Sequence, residues 1–513
     1  MKRRLLSAFL AVMMVLTMAP VAFAADEGGT TGVAKIGDVE YPTLQAAVDA
    51  ANNGDTIVLK KSISATEIGE KKQLQFVKAD MNVTLDLNQN TITAEAGEAI
   101  AINAANITLT VKNGTIENFA EGNYSDGVYA YKESNNLTLT FESIVLKSRT
   151  QGLAVQGLTS NSNVNIVNSK ITSAEELGIY YPPKSGTLTI SDSEITGVTG
   201  IVVKGSNLVV KGEKTIISGT GPNVDPETYY TGATDGSSTL TETGDALYIE
   251  SGYNDRDISV SISGGHLNSK SAKAVRMFVK NGENTSAKRE ISVTGGTFSS
   301  DVSAYVAEGY VQNENGTVEQ LGETNAVAKV GNTYYKSLVD AYAALPRGEG
   351  AAPSEPTTIT LLKDSDGGGI GSDKTDNYMN YVIDFNGHTY TVGAPAVGST
   401  GTVSQGIRVL KTSTAKFMNG TLKAANYNQL VQVVHTYGDV TFQDFTVDAT
   451  EDQYAQIAYE VDNGTLNIKG NSNILAYNGQ TGLYVAFWPR GGYTGGTTVN
   501  VDTTGKITGK MVY

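Results

Sequence analysis

The sequence predicts an all-β fold, a right-handed parallel β-helix (β-solenoid), on three observations. Short strand-like phrases recur, and the starts of the first five, at Val83, Ile107, Leu137, Val164 and Leu188, are separated by 24, 30, 27 and 24 residues. A second series lies between them, with Gly127-Val-Tyr-Ala and Gly152-Leu-Ala-Val as examples. The 56 glycines, with many asparagines and threonines, supply turns. Two interleaved series with the same period indicate one coil per repeat. Connections between parallel strands are nearly always right-handed, so we expect the coil to be right-handed.

A short helix followed by a strand starts the first group of coils. In residues 41–61 Thr43 suits an N-cap, Asn53-Gly54 ends the helix, and Thr56 to Leu59 is the first strand. The apolar residues of this helix fall on one face: Leu44, Ala47, Val48 and Ala51. A degenerate copy of the unit returns at residues 335–363. We therefore predict two tandem modules, each started by a short capping helix.

The domain organisation follows from the two chain ends and this repetition. Residues 1–24 read as a secretory signal peptide, with basic residues at Lys2, Arg3 and Arg4, an apolar run and a small-residue cleavage site. Residues 25–325 form module 1, with a loop insertion at about 219–244, and residues 326–513 form module 2. The chain reaches Tyr513 without a closing phrase, so a truncated C-terminus of module 2 stays open.

Composition excludes several functional classes. Removal of the signal peptide changes the formal charge from -15 to -18, which argues against nucleic acid as a partner. The chain has no cysteine, hence no disulfide framework, and its three histidines leave little for a zinc site. No second long apolar run follows the signal peptide, so we expect no membrane insertion after its removal. No metal site and no cofactor are predicted, because the acidic residues of the insertion match no calcium-ligand spacing.

The helix-plus-strand phrase YPTLQAAVDAANNGDTIVL and the coils of the form Gly-Val-x-Ala followed by Leu-Thr-Leu-Thr resemble the pectate-lyase-like right-handed parallel β-helix superfamily. Residues 295–310 resemble the closing segment of β-helix modules in secreted and surface proteins of Gram-positive bacteria. The resemblance implies either lyases, with calcium-holding acids and a basic residue, or hydrolases with paired carboxylates. Neither constellation is visible, so no catalytic residue is assigned. A lyase site at Arg276, Glu250 and Asp245 stays a minor alternative beside a plain surface ion pair.

Strand alternation predicts which side chains point outward. The outward set of the second series contains tyrosines about two coils apart, and rigid aromatic rings along a grooved surface suit the faces of sugar rings. The alternative is that these tyrosines only shield the sheet. In module 2 the same argument places Arg408, Gln432, Ala458 and Tyr484 outward, and the lone Trp488 either makes a stacking platform or packs the final turn. The candidate glycan-binding residues are Tyr129, Tyr131, Tyr180, Tyr248, Arg276, Arg408, Tyr484, Trp488 and Arg490.

Together these features predict a secreted or cell-surface, adhesin-like β-helix protein that is non-catalytic and binds glycan or another surface polymer. One alternative is a polysaccharide lyase or glycoside hydrolase of the same fold. The other is a structural spacer. The sequence leaves the ligand, the mode of surface anchoring and the oligomeric state open.

Overall fold

A computed structural model describes residues 32–121, 124–232, 240–250, 256–279, 287–371, 376–399, 402–486 and 496–513. The chain forms two compact units. Unit 1 comprises Met1–Val306 and Glu314–Thr317, described from residue 32, and unit 2 comprises Ala307–Asn313 and Val318–Tyr513. The four α-helices of the described residues are α1 Leu44–Ala50, α2 Ala65–Ile68, α3 Pro226–Gly232 and α4 Leu338–Ala343. A 3-10 turn spans Ser303–Tyr305.

The strands up to residue 306 are β1 Ala34–Ile36, β2 Val39–Tyr41, β3 Thr56–Leu59, β4 Leu74–Phe76, β5 Asn82–Asp86, β6 Thr91–Ala94, β7 Glu98–Ile102, β8 Thr108–Asn118, β9 Asp126–Ala130, β10 Thr138–Ser148, β11 Leu153–Val155, β12 Ser162–Val167, β13 Lys170–Ser173, β14 Leu177–Tyr181, β15 Gly186–Ser191, β16 Glu194–Gly197, β17 Thr199–Val203, β18 Ser206–Lys211, β19 Ile216–Gly219, β20 Leu247–Glu250, β21 Ile258–Ser269, β22 Val275–Phe278 and β23 Arg289–Phe298.

The strands after residue 306 are β24 Tyr310–Gln312, β25 Thr317–Gln320, β26 Ala328–Val330, β27 Thr333–Tyr335, β28 Thr357–Leu361, β29 Ser365–Gly368, β30 Asn380–Asp384, β31 Thr389–Gly393, β32 Val397–Ser399, β33 Thr402–Val409, β34 Thr414–Ala424, β35 Gln432–Thr436, β36 Asp439–Asp448, β37 Ile457–Val461, β38 Gly464–Gly470, β39 Asn473–Leu475, β40 Thr481–Val485, β41 Thr497–Thr503 and β42 Lys510–Val512.

Three strands make one coil, and each strand pairs in parallel with its equivalent one coil further along. Strand β12 pairs with β15, β13 with β16, and β14 with β17. The third strands of the coils form an eight-stranded sheet in unit 1, in the order β22-β20-β17-β14-β11-β9-β7-β4. The equivalent sheet of unit 2 has the order β32-β33-β35-β37-β40-β42. The predicted all-β parallel β-solenoid is confirmed.

The two units bury different kinds of core. In unit 1 register partners stack into aliphatic columns, of which one contains Leu139, Val164, Leu188 and Leu208. Unit 2 stacks aromatic rings instead: the rings of Phe385 and Phe445 lie 4.7 Å apart, and those of Phe417 and Phe442 lie 5.8 Å apart. Burial of these apolar columns is the main favourable term for such a fold. No helix of the described residues is long and apolar enough to cross a bilayer.

Left-handed backbone turns are supplied by asparagine or by the glycine after it. Asn113 and Asn419 have φ of 60° and 56°, whereas in the pairs at 315–316 and 463–464 the glycine takes the positive φ. Asn and Gly tolerate this region better than other residues because of their local hydrogen bonding or missing Cβ. The pairs that begin at Asn113, Asn419 and Asn463 therefore mark bends within the coils, whereas the pair at 315–316 turns between the antiparallel strands β24 and β25.

The same local arrangement surrounds helices α1 and α4. In each case a strand before the helix pairs antiparallel with the next strand and with the strand after the helix, through Ala34 in β1 and Ala328 in β26. Thr43 accepts a hydrogen bond from the backbone N–H of Ala46 at 3.2 Å, as expected for an N-cap. That each helix caps its solenoid and opens a tandem module stays a prediction.

Candidate functional site

The outer face of the eight-stranded sheet in unit 1 carries one continuous row of side chains. Pairing of β9, β11, β14, β17, β20 and β22 puts the following residues in register: Tyr129, Ala154, Tyr180, Val202, Tyr248 and Arg276. Stacked strands are about 4.8 Å apart, so Tyr129 and Tyr180 are separated by about 9.6 Å along the row. The six residues therefore form one row across the sheet, although their burial differs from one position to the next.

The first part of this row holds half-buried tyrosines. The rings of Tyr129 and Tyr131 lie 4.7 Å apart at an interplanar angle of 58°. Tyr131 donates its hydroxyl hydrogen to Oε1 of Glu98 at 2.6 Å, and its pKa is raised by burial and by that carboxylate. Tyr180 is also half-buried, while Ala154 between the tyrosines is fully buried. We name the set Tyr129, Tyr131 and Tyr180 the tyrosine face.

Tyr248 does not belong to this exposed face, which corrects the sequence-based assignment. It is 0% exposed and forms a small cluster with Leu177 and Val202, against which Tyr180 and Phe278 pack. Tyr230, in the helix α3 of the insertion, stacks on Phe278 with ring centroids 5.5 Å apart and an interplanar angle of 5°. Side chains of the insertion therefore cover this part of the outer face, whereas strand alternation alone predicted that it would be exposed to solvent.

A buried ion pair lies beside this cluster. Lys204 Nζ is 2.7 Å from Oε2 of Glu250, and their side chains are only 2% and 3% exposed. The hydroxyl of Tyr230 donates to the other oxygen of Glu250 at 2.8 Å, and Lys204 also donates to the carbonyl of Leu240 at 3.3 Å. These contacts tie the insertion to strands β17 and β20.

Arg276 lies in the outward row as predicted, but its guanidinium is engaged within the chain and its side chain is only 12% exposed. Its Nε lies 2.8 Å from Oδ2 of the fully buried Asp245. Its guanidinium also donates to Oδ1 of Asn223 at 2.6 Å and to the carbonyl of Val224 at 3.3 Å. Burial raises the pKa of Asp245. The predicted proximity of Arg276 and Asp245 is present, but Glu250 pairs with Lys204, so the three do not form one lyase-like site.

Unit 2 presents a second row on its six-stranded sheet. Arg408, His435, Glu460 and Tyr484 are register partners on β33, β35, β37 and β40. Arg408 is buried, with its guanidinium carbon 5.4 Å from the centroid of the Tyr437 ring, so its prediction as a solvent-facing residue is wrong. Tyr484 is half-buried. Trp488 and Arg490 lie outside the described residues.

Around His435 the row becomes a compact polar cluster. Its Nε2 is 2.9 Å from Oδ2 of Asp462 and 3.9 Å from Oε1 of Glu460. Its Nδ1 is 2.7 Å from Nε2 of Gln405. Gln432 donates to the second oxygen of Glu460 at 3.1 Å. Burial and the neighbouring Asp462 carboxylate raise the pKa of Glu460, although the His435 imidazole acts in the opposite direction. We name His435, Glu460 and Asp462 the histidine–carboxylate cluster.

Sequence reasoning missed this cluster. Alternation placed Gln432 and Ala458 outward beside Arg408, whereas the register partner of Arg408 is His435. A usable signal was present: Glu460 and Asp462 follow His435 by 25 and 27 residues, which is one coil. Two acids spaced i, i+2 on a strand point to the same side as a histidine one coil earlier.

The cluster can do three things chemically. The imidazole can exchange protons, the three donor atoms can hold a metal ion, or the group can remain a hydrogen-bonded brace. The donor oxygens of Glu460 and Asp462 lie within 4.8 Å of each other.

Comparisons with known proteins give few matches. No protein-family model matches the sequence, and no curated protein matches it. Among solved structures, the chain is similar to the tailspike protein of E. coli bacteriophage HK620 in complex with a pentasaccharide, with 12% identity, 89% of this chain and 74% of that chain covered, and a TM-score of 0.22. It is also similar to a mutant of the PL6 family alginate lyase AlyGC, with 10% identity, 92% and 99% coverage, and a TM-score of 0.19. Membership of the pectate-lyase-like superfamily stays a prediction.

Proposed function

We propose that the protein is an exported, non-catalytic β-solenoid that binds a polysaccharide on the tyrosine face of unit 1. The observation that carries the proposal is the register row in which half-buried Tyr129 and Tyr180 flank the buried Ala154. The two rings lie about 9.6 Å apart along the row, with the buried Ala154 between them. Rings held by a sheet lose little conformational entropy on binding, and their faces suit the C–H faces of sugars.

Polar groups beside the rings would read sugar hydroxyls. The hydroxyl oxygen of Tyr131 donates its hydrogen to Glu98 and keeps lone pairs that accept from a sugar O–H. Gln156, two residues beyond Ala154 on the same outward side, is half-buried; its Oε1 accepts from the backbone N–H of Leu158 at 2.7 Å, and its amide nitrogen can donate to a sugar. Apolar ring faces with a few polar groups at fixed positions are typical of ligand sites.

The insertion limits the length of the site. Beyond Tyr180 the row passes beneath side chains of the insertion, where Tyr248 is buried and Tyr230 covers Phe278. From β7 to β14 the open row crosses three strand spacings, about 14 Å. The face therefore suits a short internal stretch of a polymer. Export follows from the predicted signal peptide at residues 1–24, and how the protein attaches to a surface is not part of the proposal.

Glycan-array binding followed by affinity electrophoresis tests the proposal. Each stacked ring contributes about 0.5–1.5 kcal/mol, so the double variant Tyr129→Ala/Tyr180→Ala should weaken binding by about 5- to 150-fold. The control is Tyr454→Ala, which removes an exposed tyrosine of unit 2 and should leave retention unchanged. Retention of the double variant equal to that of the unmodified chain would contradict the tyrosine face.

The same screen separates the two alternatives. A polysaccharide lyase would release unsaturated ends from uronate polymers, and a hydrolase would release reducing ends. Release of either product that disappears in His435→Gln would replace the binding function by an enzymatic one centred on unit 2. A protein that neither binds nor cleaves any glycan of a broad array would instead be a spacer.

A further inference from the structure

We propose that the histidine–carboxylate cluster of unit 2 binds one divalent transition-metal ion of the zinc class. The imidazole nitrogen and the two carboxylate oxygens lie within 4.8 Å of one another. Among the described residues, these three side chains are the one group of histidine and acidic residues whose donor atoms are close enough to hold a metal ion. The proposal concerns unit 2 and does not depend on the tyrosine face of unit 1.

The distances are close to those of a metal site. Zinc bonds to imidazole nitrogen and carboxylate oxygen are about 2.0–2.2 Å long, which puts two tetrahedral ligand atoms about 3.4 Å apart. His435 Nε2 is 2.9 Å from Asp462 and 3.9 Å from Glu460. A shift of about half an ångström in each of these two histidine–carboxylate contacts, in opposite directions, brings both to the tetrahedral separation, and the two carboxylate oxygens lie within 4.8 Å of each other.

The backbone and neighbouring amides hold the three ligands in place. His435 and Glu460 are register partners on β35 and β37, and the backbone N–H of Asp462 donates to the carbonyl of Thr436 at 2.9 Å. Gln432 fixes one oxygen of Glu460 and leaves the other facing His435. Ligands on paired strands with hydrogen-bonded neighbours need little reorganisation to accept an ion.

Gln405 gives an independent indication. It is 4% exposed, its amide faces Nδ1 of His435, and its Oε1 is buried without a hydrogen-bond partner. The amide oxygen and nitrogen are nearly alike in shape, so a half-turn of the amide brings Oε1 onto Nδ1. The amide oxygen of Gln405 then accepts the hydrogen on Nδ1 of His435. The other ring nitrogen of His435, Nε2, is left with a lone pair directed toward Glu460 and Asp462. Metal-bound histidines are held in this way by an acceptor on the distal ring nitrogen.

The donor set selects the class of ion. One imidazole and two carboxylates suit zinc and related first-row ions, and three protein ligands leave a fourth position for water or an external ligand. Calcium takes six to eight oxygen ligands, which this cluster does not supply.

Isothermal titration of the full chain, prepared without a polyhistidine tag and freed of metal by a chelator, tests the site. We expect one Zn²⁺ bound per chain, no saturable binding of Ca²⁺, and visible absorption when Co²⁺ replaces Zn²⁺. His435→Gln should weaken Zn²⁺ binding at least 100-fold, and Gln405→Leu should weaken it by about 10- to 100-fold because the acceptor on Nδ1 is lost.

The other two histidines provide matched controls. His388 pairs with a single carboxylate, Asp364, at 3.3 Å, and His266 is exposed. The variants His388→Gln and His266→Gln should bind Zn²⁺ as the unmodified chain does. If far-UV circular dichroism shows that His435→Gln does not fold, the near-isosteric Glu460→Gln takes its place. Absence of saturable Zn²⁺ binding, or binding that survives loss of either ligand in a folded variant, would overturn the proposal.

Discussion

Replacement of Lys204 by methionine should strongly destabilise unit 1, although an exposed ion pair of the same length is nearly dispensable. Lys204 Nζ and Glu250 Oε2 are 2.7 Å apart, with side chains 2% and 3% exposed. Lys170 Nζ and Glu194 Oε1 are also 2.7 Å apart, with side chains 47% and 39% exposed. The two pairs therefore differ in solvent access and not in distance.

Burial sets the magnitude. At 2.7 Å the gross attraction of two unit charges is roughly 6 kcal/mol at an effective dielectric constant of 20 and roughly 1.5 kcal/mol in water. Lys204→Met removes the ammonium and leaves the buried carboxylate of Glu250 with the hydroxyl of Tyr230. Removal of one partner of a buried pair costs about 3–5 kcal/mol, whereas loss of an exposed pair costs about 0–1 kcal/mol.

The assay is urea unfolding followed by circular dichroism, with Lys170→Met as the matched control. The free energy of unfolding should fall by about 3–5 kcal/mol for Lys204→Met and by less than about 1 kcal/mol for Lys170→Met. The double variant Lys204→Met/Glu250→Leu should regain most of the loss, because no charge is then left buried and unpaired. Equal effects of the two single lysine variants would refute the reasoning.

Two further predictions concern unit 1. A Cβ at Gly152 would lie 2.4 Å from the carbonyl oxygen of Gly178 on the next coil, so Gly152→Ala should lower the urea midpoint clearly, whereas Gly97→Ala, where no atom lies within 4 Å, should not. Burial raises the pKa of Asp126 above its ordinary value, so folding favours the protonated acid, and this contribution grows as the pH falls through the folded pKa and fades as it rises. Compared with Asp126→Asn, the unmodified chain should therefore gain stability from pH 7 toward pH 4, and a relative loss over that range would contradict the sign.

The fold was predictable from the sequence because its determinants are local and repeated. The column through Leu139, Val164 and Leu188 is visible as period-2 alternation that recurs once per coil. The register of unit 2 was harder, because residues 429–434 contain apolar side chains on both parities. Leu430, Val433 and Val434 are all buried, so alternation cannot decide which of them faces the core.

Solvent exposure of the candidate site could not be predicted in the same way. Alternation correctly indicates that Tyr180 and Tyr248 leave the sheet on one side, but what lies above them depends on where the insertion folds. Tyr230 is 18 residues before Tyr248 in sequence, in a helix that no repeat indicates, and it reaches the ring of Phe278. Tertiary contacts of this kind carry no period in the sequence, so the tyrosines look equivalent until the structure separates them.

The buried carboxylates of unit 1 and those of the histidine–carboxylate cluster in unit 2 differ in the number of cationic partners they have. Beneath the insertion of unit 1 each buried carboxylate has its own cation, Glu250 with Lys204 and Asp245 with Arg276. In unit 2 Glu460 and Asp462 share the imidazole of His435, and the buried guanidinium of Arg408 belongs to the strand position paired with His435. Charge is costly to bury, and a proton or a bound cation can further neutralise the two carboxylates that share one imidazole. The Zn²⁺ titration tests for the cation directly, because an ion that binds displaces any proton held by its ligands.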